Sequence, residues 1–148
     1  TVDYQVARTT LLVSLMKCLS KNKGAPQPIK MFEVSDVIVK NASIDVGAEN
    51  LRMLGALYAS NSTSGFEHIH GLLDRAMITL DIPFAKGYYL KENEDPSFFQ
   101  GRRADVMLKT KDGELKIGVI GVLHPKVIAN YNLAIPCSAF CINVEPFK

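Results

Sequence analysis

The chain lacks the sequence features of membrane-spanning, disulfide-rich and disordered proteins. No apolar run in its 148 residues approaches the roughly 20 that a transmembrane helix requires. Tryptophan is absent, and three cysteines are too few for a disulfide framework. The net charge is only +2, so the composition gives no electrostatic reason to expect a nucleic-acid-binding face. With 47% hydrophobic and 22% charged residues, a globular domain is expected instead.

The first residues, Thr1-Val-Asp-Tyr4, lack an initiator methionine and the basic and apolar regions of a signal peptide. We therefore expect the sequence to start inside a longer polypeptide, with residues 1–148 forming one domain. Cys137 and Cys141 lie in an alternating strand pattern, which would hold their Cα atoms about 13 Å apart and beyond the reach of a disulfide. Free thiols predict a reducing, cytoplasmic location.

Hydrophobic spacing and turn residues predict an α+β fold, in which helices pack across one face of an antiparallel sheet. The first helix, from Thr10 to Lys23, carries an apolar stripe of five residues: Leu11, Leu12, Leu15, Met16 and Leu19. The other predicted elements, in chain order, are strands Ile29–Val39 and Leu51–Ser60, a helix from residue 64 to about 81, a short strand 86–90, strands 104–111 and 114–123, a short helix from Pro125, and a strand Cys137–Val144.

Polar residues at the start of the second helix suggest a cap and raise the question of a metal site. Ser64 followed by Glu67 fits a capping box. His68 and His70 lie close to acidic residues, but side chains two positions apart on a helix do not face each other. We therefore predict a contact between His70 and Asp74, one turn apart, and no metal ligation.

The hairpin in the last third of the chain contains two glycines of interest. Asp112-Gly113 favours a two-residue type I′ turn, which would put Leu108 opposite Ile117. Gly118 and Gly121 lie within the second strand, where a missing side chain leaves room over the sheet. We expect a partner chain or a neighbouring helix to fill that room, and a bound nucleotide is the alternative.

Five short segments, spread in order along the chain, carry a family resemblance. They are Tyr4-Gln-Val-Ala-Arg-Thr-Thr-Leu-Leu12, Met31-Phe-Glu-Val-Ser-Asp-Val37, Phe66-Glu-His-Ile-His-Gly71, Gln100-Gly-Arg-Arg-Ala104 and Ile117-Gly-Val-Ile-Gly-Val-Leu-His-Pro125. Together they resemble the C-terminal catalytic-like domain of the phenylalanyl-tRNA synthetase β-subunit family. The chain ends just past Val144-Glu-Pro-Phe147, which is similar to the eukaryotic or archaeal form of that family.

The resemblance implies an inactive form of the class II aminoacyl-tRNA synthetase core. It also implies a catalytic α subunit as partner, in an (αβ)₂ enzyme that attaches phenylalanine to tRNA(Phe) with ATP and Mg²⁺. The family places that chemistry on the α subunit, so the resemblance implies no cofactor in this fragment. We expect the apolar stripe of the first helix, together with the following strand, to form the subunit interface.

The cations that amino-acid activation requires are missing from the sequence. A class II core supplies one arginine from an early strand pair and another from a late strand–helix junction, because a guanidinium pairs bidentately with phosphate. No arginine occurs in Ile29–Val39 or anywhere from residue 104 to 148, and the late junction offers only Lys126. His124 is expected to cap the short helix rather than act as a base. We therefore predict no catalytic residue.

Two alternatives remain open from the sequence. Arg102 and Arg103 follow a glycine, so they either brace the carbonyl groups of a turn or contact tRNA or the α subunit. Direct tRNA binding through these two arginines and Arg8 is one alternative function. A stand-alone nucleotide-binding enzyme, with its ligand near Gly118, is the other.

Overall fold

A computed structural model describes residues 5–147 of the chain. Its helices are α1 (Leu12–Lys21), α2 (Phe66–Thr79) and α3 (Pro125–Ala129), and its strands are β1 (Ile29–Lys40), β2 (Ala48–Ala59), β3 (Tyr88–Glu92), β4 (Phe98–Thr110), β5 (Gly113–Leu123) and β6 (Cys137–Asn143). A 3₁₀ turn at Glu145–Phe147 follows. Over residues 5–147, no helix combines the length and the apolar character that crossing a membrane demands.

The six strands form one antiparallel sheet in the order β1-β2-β6-β5-β4-β3. The last strand in the chain, β6, therefore lies near the middle of the sheet, and β1 and β3 are its edges. Every residue of β6 from Cys137 to Ile142 is buried. A strand that is covered on both sides is expected to be apolar on both faces, and the sequence of β6 agrees with this expectation. The predicted α+β fold with an antiparallel sheet is confirmed.

The helices cover both faces of the sheet, so the prediction that they pack across one face is wrong. One buried cluster joins α1 and α3 to one face, through residues such as Leu15, Ile128 and Ala139. A second cluster joins α2 to the opposite face, where Leu73 packs with residues that include Phe140. Successive side chains of β6 point alternately into the two clusters, because side chains along a strand alternate between faces.

The hairpin of β4 and β5 forms as predicted, but the predicted register is wrong. Thr110 pairs with Gly113, so the loop is Lys111-Asp112 and the glycine is the first paired residue of β5. Gly113 has a φ of 132°, a conformation that other residues rarely adopt. Leu108 consequently lies opposite Leu115, and a further register shift follows between Val106 and Met107.

Candidate functional site

The space over the two glycines of β5 is filled by the chain itself. A Cβ atom on Gly118 would collide with the carbonyl oxygen of Cys141 and would lie 2.7 Å from the Cα of Ile142, both in β6. A Cβ on Gly121 would lie 2.7 Å from Phe98 and 2.8 Å from the carbonyl oxygen of Arg102. The expectation that a partner or a neighbouring helix fills this room is therefore wrong, because the adjacent strands β6 and β4 fill it. Among the described residues, a side chain at either glycine would collide with the chain itself.

The apolar stripe of α1 also lies inside the fold. Leu11, Leu12, Leu15, Met16 and Leu19 are at most 6% exposed and belong to the cluster beneath α1. The helix packs directly on the sheet, since a Cβ on Gly55 would lie 3.0 Å from the Cβ of Leu11. A partner could touch these five side chains only by displacing α1. The part of the helix that a partner can reach is its outer side.

The outer side of α1 borders a shallow groove of about 680 Å³. We call this the α1 groove, and its lining includes Val6, Ala7, Val13, Lys17, Cys18 and Lys21. Val6 is 85% exposed, and Val13 is partly exposed. The groove therefore combines apolar side chains with lysines, a composition that suits an apolar segment with acidic neighbours.

Arg8 is fully engaged in a local network at the edge of the sheet. Its guanidinium contacts the carboxylate of Glu33 at 2.6 Å and the hydroxyls of Ser14 at 2.7 Å and Ser35 at 2.5 Å. Its Nε donates to the carbonyl oxygen of Asp36 at 3.3 Å. These bonds tie the segment before α1 to β1. Arg8 therefore has little capacity to bind a phosphate, and the alternative of direct tRNA binding loses one of its three arginines.

The two adjacent arginines of β4 have different environments. Arg103 donates from Nε to the carbonyl oxygen of Asn93 at 2.8 Å and from Nη1 to that of Asp95 at 2.9 Å. The prediction of a turn arginine that braces local carbonyl groups is thus confirmed for Arg103. Arg102 is exposed, and no described residue forms a hydrogen bond or ion pair with its side chain. It lines a cleft of about 470 Å³ whose opposite wall is the first turn of α2.

The first turn of α2 differs from its prediction. Gly65, rather than Ser64, is the N-cap residue, with a φ of 73° and no side-chain capping bond. The ring of Tyr58 fills the space where a Cβ of residue 65 would lie. The capping box is therefore wrong, because only glycine fits between Tyr58 and the helix. This turn forms one wall of the cleft that Arg102 borders.

The histidines have structural partners. The Nδ1 atom of His70 lies 3.8 Å from Asp74, so the predicted contact is confirmed. Asp74 also accepts a hydrogen bond from the hydroxyl of Tyr88. Burial, and then the bond to Asp74, raise the pKa of Tyr88 above its ordinary value. His124 caps α3 as predicted, because its Nδ1 accepts the amide of Lys126 at 3.1 Å. Within residues 5–147, no three potential ligands gather around a possible metal position.

All three cysteines are free thiols, and Cys137 and Cys141 are buried as predicted. Cys18 is exposed on α1, whereas Cys137 and Cys141 are buried in β6. Burial raises the pKa of Cys137 to about 12. Burial is also the main reason that the pKa of Cys141 is raised. These pKa shifts keep both thiols of β6 protonated and therefore poor nucleophiles.

An exposed apolar surface on β1 was not predicted from the sequence. Phe32, Val34 and Ile38 lie on the same face of this edge strand and are 74%, 52% and 42% exposed. Helix α2 packs on that face over β2, β5 and β6, and a cleft of about 430 Å³ lies between α2 and Phe32. The strand is apolar at both parities, a pattern that predicts burial. Only its edge position, which the sequence does not reveal, leaves these side chains in solvent.

Comparisons with known proteins identify close relatives. A family model described as "Phenylalanyl tRNA synthetase beta chain CLM domain" matches residues 1–144. The phenylalanine–tRNA ligase beta subunit of Drosophila melanogaster is 50% identical over 99% of the chain and 25% of its own length, and that of Homo sapiens is 47% identical over the same shares. The cytoplasmic beta subunit of Arabidopsis thaliana is 40% identical over 97% of the chain. The chain thus spans about a quarter of the length of these relatives.

A solved structure adds information on the fold alone. The pyrrolysyl tRNA synthetase of Desulfitobacterium hafniense superposes with a TM-score of 0.71 over 95% of the chain and 48% of that protein, at 13% identity. This likeness covers nearly the whole antiparallel sheet and its helices. At such low identity it carries no information about ligands.

Proposed function

Because the chain belongs to the family of the phenylalanyl-tRNA synthetase beta chain CLM domain, we propose that it is a non-catalytic interaction module of a phenylalanine–tRNA ligase β subunit. In this proposal residues 1–148 are a single catalytic-like domain in the C-terminal part of a longer β chain of eukaryotic or archaeal type. The fold is that of a class II aminoacyl-tRNA synthetase core, which the likeness to pyrrolysyl tRNA synthetase supports. The subunit acts in the cytoplasm, as the name of the Arabidopsis relative says of that protein.

The observation that carries the non-catalytic role is the filled space at Gly118 and Gly121. Activation of an amino acid by ATP needs room for the nucleotide and cations on its phosphates. The chain's own strands occupy the room, and the junction of β5 and α3 supplies only Lys126 and the capping His124. Each missing donor would cost about 3 kcal/mol of transition-state stabilisation, so two are enough to silence the reaction.

The partner in this proposal is the catalytic α subunit, within an (αβ)₂ enzyme that charges tRNA(Phe). ATP and Mg²⁺ belong to the α subunit and not to this fragment. The α1 groove is the surface that fits the expected interface on the first helix, since the five residues of the apolar stripe are buried. Its exposed Val6 and partly exposed Val13 supply apolar area, and its lysines supply charge.

Binding and exchange measurements test this function. The chain is titrated with α subunit, and pyrophosphate exchange is measured for the chain alone and for the mixture. We expect binding to α and no exchange by the chain alone. Val13→Asp should weaken binding, whereas Ile78→Asp, a matched exposed position on α2, should leave it unchanged. Exchange by the chain alone, or no affinity for α, would contradict the proposal.

A contact with tRNA within the same complex is the second candidate, and the free guanidinium of Arg102 favours it. This side chain stands over the 470 Å³ cleft without an internal partner among the described residues. If it binds a phosphate, Arg102→Ala should weaken tRNA binding by the assembled enzyme and lower the slope of log affinity against log salt by about 1. Lys111→Ala, at the exposed hairpin tip, is the control. An unchanged slope for Arg102→Ala would exclude the contact.

A further inference from the structure

The beginning of β4 departs from the regular ladder. Phe98 pairs with Leu123 and Arg103 pairs with Gly121, so the chain advances five residues along β4 while it advances two along β5. We call the extra segment, residues 99–102, the β4 bulge. A bulge leaves residues without ladder partners and redirects their side chains, and bulges are common beside functional sites. The β4 bulge is therefore a candidate for a binding role.

The side chains of the β4 bulge contribute little to the core. Phe99 is 45% exposed, whereas its neighbour Phe98 is fully buried. Gln100 and Arg102 are exposed, and neither side chain forms a hydrogen bond or ion pair with a described residue. The bulge thus presents an aromatic ring, an amide and a guanidinium that the fold does not use.

A cleft of about 330 Å³ lies between the β4 bulge and the start of α3. Phe99 and His124 line this cleft, with ring centroids 6.1 Å apart and ring planes 29° from parallel. Gln100 and Arg103 contribute polar groups to the lining. A cleft of this size lies at the lower end of the range for ligand sites, so it suits a single planar group.

His124 adds a hydrogen-bond donor whose position is fixed. Its Nδ1 accepts the amide of Lys126 at 3.1 Å. Because Nδ1 is an acceptor, the hydrogen of the neutral ring lies on Nε2. No described residue bonds to Nε2, and this atom is not among the buried atoms that lack a partner. The ring can therefore donate to a ligand, and the amide of Gln100 can donate or accept beside it.

The cleft also has cations without carboxylate partners. Arg103 donates to two carbonyl oxygens, and no described carboxylate forms an ion pair with its guanidinium. Lys126 is exposed and has no ion-pair partner among residues 5–147. In the loop before β4, the carboxylate of Asp95 already accepts the amide of Ser97 at 2.8 Å. An exposed aromatic ring beside unpaired cations is the combination that binds single-stranded nucleic acids.

We propose that this cleft binds one unpaired nucleotide of an RNA strand. The base stacks on the ring of Phe99, an acceptor atom of the base faces Nε2 of His124, and a phosphate lies close to Lys126. Every base has a flat face, so the site selects an unpaired nucleotide and not a sequence. The inference rests on the proposed function only for the source of the strand, namely tRNA, and its site is separate from the cleft that Arg102 borders.

Nuclear magnetic resonance titration of the 148-residue chain with a six-nucleotide oligo(A) tests the proposal, and a blunt RNA duplex is the comparison. We expect saturable binding of the single strand, with shift changes in the β4 bulge and at His124, and weaker binding of the duplex. Phe99→Leu should weaken binding about tenfold, because it removes the stacking ring, whereas Phe99→Tyr should bind like the original chain. Phe84→Leu is the matched control, since Phe84 is 49% exposed and does not line the cleft.

A second variant tests the phosphate contact independently of Phe99. Lys126→Gln should lower the slope of log affinity against log salt by about 0.7, the value for one phosphate contact on a single strand. Lys111→Gln, at the exposed hairpin tip, is its control and should leave the slope unchanged.

The proposal is overturned if the single strand does not bind, if the duplex binds equally well, or if Phe99→Leu binds the strand like the original chain. It is also overturned if Phe99→Leu weakens binding of the α subunit and not of RNA, since the cleft would then belong to a protein partner. None of these results contradicts the proposed function. That function fails on different observations, namely no affinity of the original chain for α or pyrophosphate exchange by the chain alone.

Discussion

Replacing Gly118 with alanine tests the central structural claim, that β6 closes the space over β5. The added Cβ would collide with the carbonyl oxygen of Cys141 and lie 2.7 Å from the Cα of Ile142. Both atoms belong to the backbone of a strand that is buried on both faces. The clash therefore cannot be relieved by rotating a side chain, and β5 and β6 must separate.

The size of the effect follows from this geometry. Overpacking a well-packed core usually costs 1–3 kcal/mol, and a clash with fixed backbone belongs at the upper end, about 3 kcal/mol. A domain of this size loses about 2–4 °C of Tm per kcal/mol, so Tm should fall by about 6–12 °C. Such a loss is a large part of the 5–15 kcal/mol that stabilises a typical domain.

Gly71→Ala provides a matched control, because it is expected to change the free energy of unfolding in the opposite direction. Gly71 lies in the exposed part of α2, and a Cβ there would meet nothing within 4 Å. Alanine is about 1 kcal/mol more favourable than glycine within a helix, so Gly71→Ala should stabilise the chain by up to that amount. Chemical denaturation followed by circular dichroism measures both changes. If Gly118→Ala proved neutral, β6 would not press on Gly118, and an open nucleotide groove would again be possible.

Three further predictions rest on other contacts. Arg103→Ala should cost about 1–3 kcal/mol in the free energy of unfolding, because two carbonyl groups lose their donor, whereas Arg102→Ala should leave that free energy unchanged. In a thiol-reactivity assay Cys18 should react at once, while the two thiols of β6 react only upon unfolding; rapid reaction of all three would contradict their burial. The pKa of Tyr88 is raised in the folded chain, so its contribution to stability is full below about pH 10 and is lost as pH rises towards the folded-state pKa. Tyr88→Phe should therefore reduce the alkaline loss of stability, measured as denaturation midpoints against pH.

The sequence predicts the order of the elements because each element has its own local signal. The apolar spacing of α1 and the proline before α3 depend only on neighbouring residues, and both helices form where expected. The cap of α3 by His124 is local in the same way. Arg103 braces the carbonyl groups of Asn93 and Asp95, which is one of the two alternatives that its position after a glycine leaves open.

The errors share a different cause, since each depends on a contact distant in the sequence. The capping box fails because Tyr58, from β2, occupies the space at Gly65. The distribution of helices over both faces depends on which strand lies in the centre. The side chains of β6 alternate between the two buried clusters, and this can be recognised only when the elements that neighbour β6 are known. The apolar side chains of β1 are exposed because β1 is an edge strand, with no seventh strand beyond it in the described chain.

A glycine in a strand has one of two opposite structural roles, and in this chain the packing around each glycine shows which role it has. A missing side chain can leave room for a ligand, or it can let another part of the backbone approach. At Gly55 the approaching group is helix α1, and at Gly118 it is β6. Both spaces are closed by atoms of the chain itself. Restoring a cation alone, for example with Lys126→Arg, would therefore not restore a nucleotide site, because the phosphate-binding group would face a sheet with no room above it. In the proposed non-catalytic role, the lack of an arginine at the junction of β5 and α3 and the closed sheet are thus two separate barriers to catalysis, and the closed sheet is the harder one to reverse by substitution.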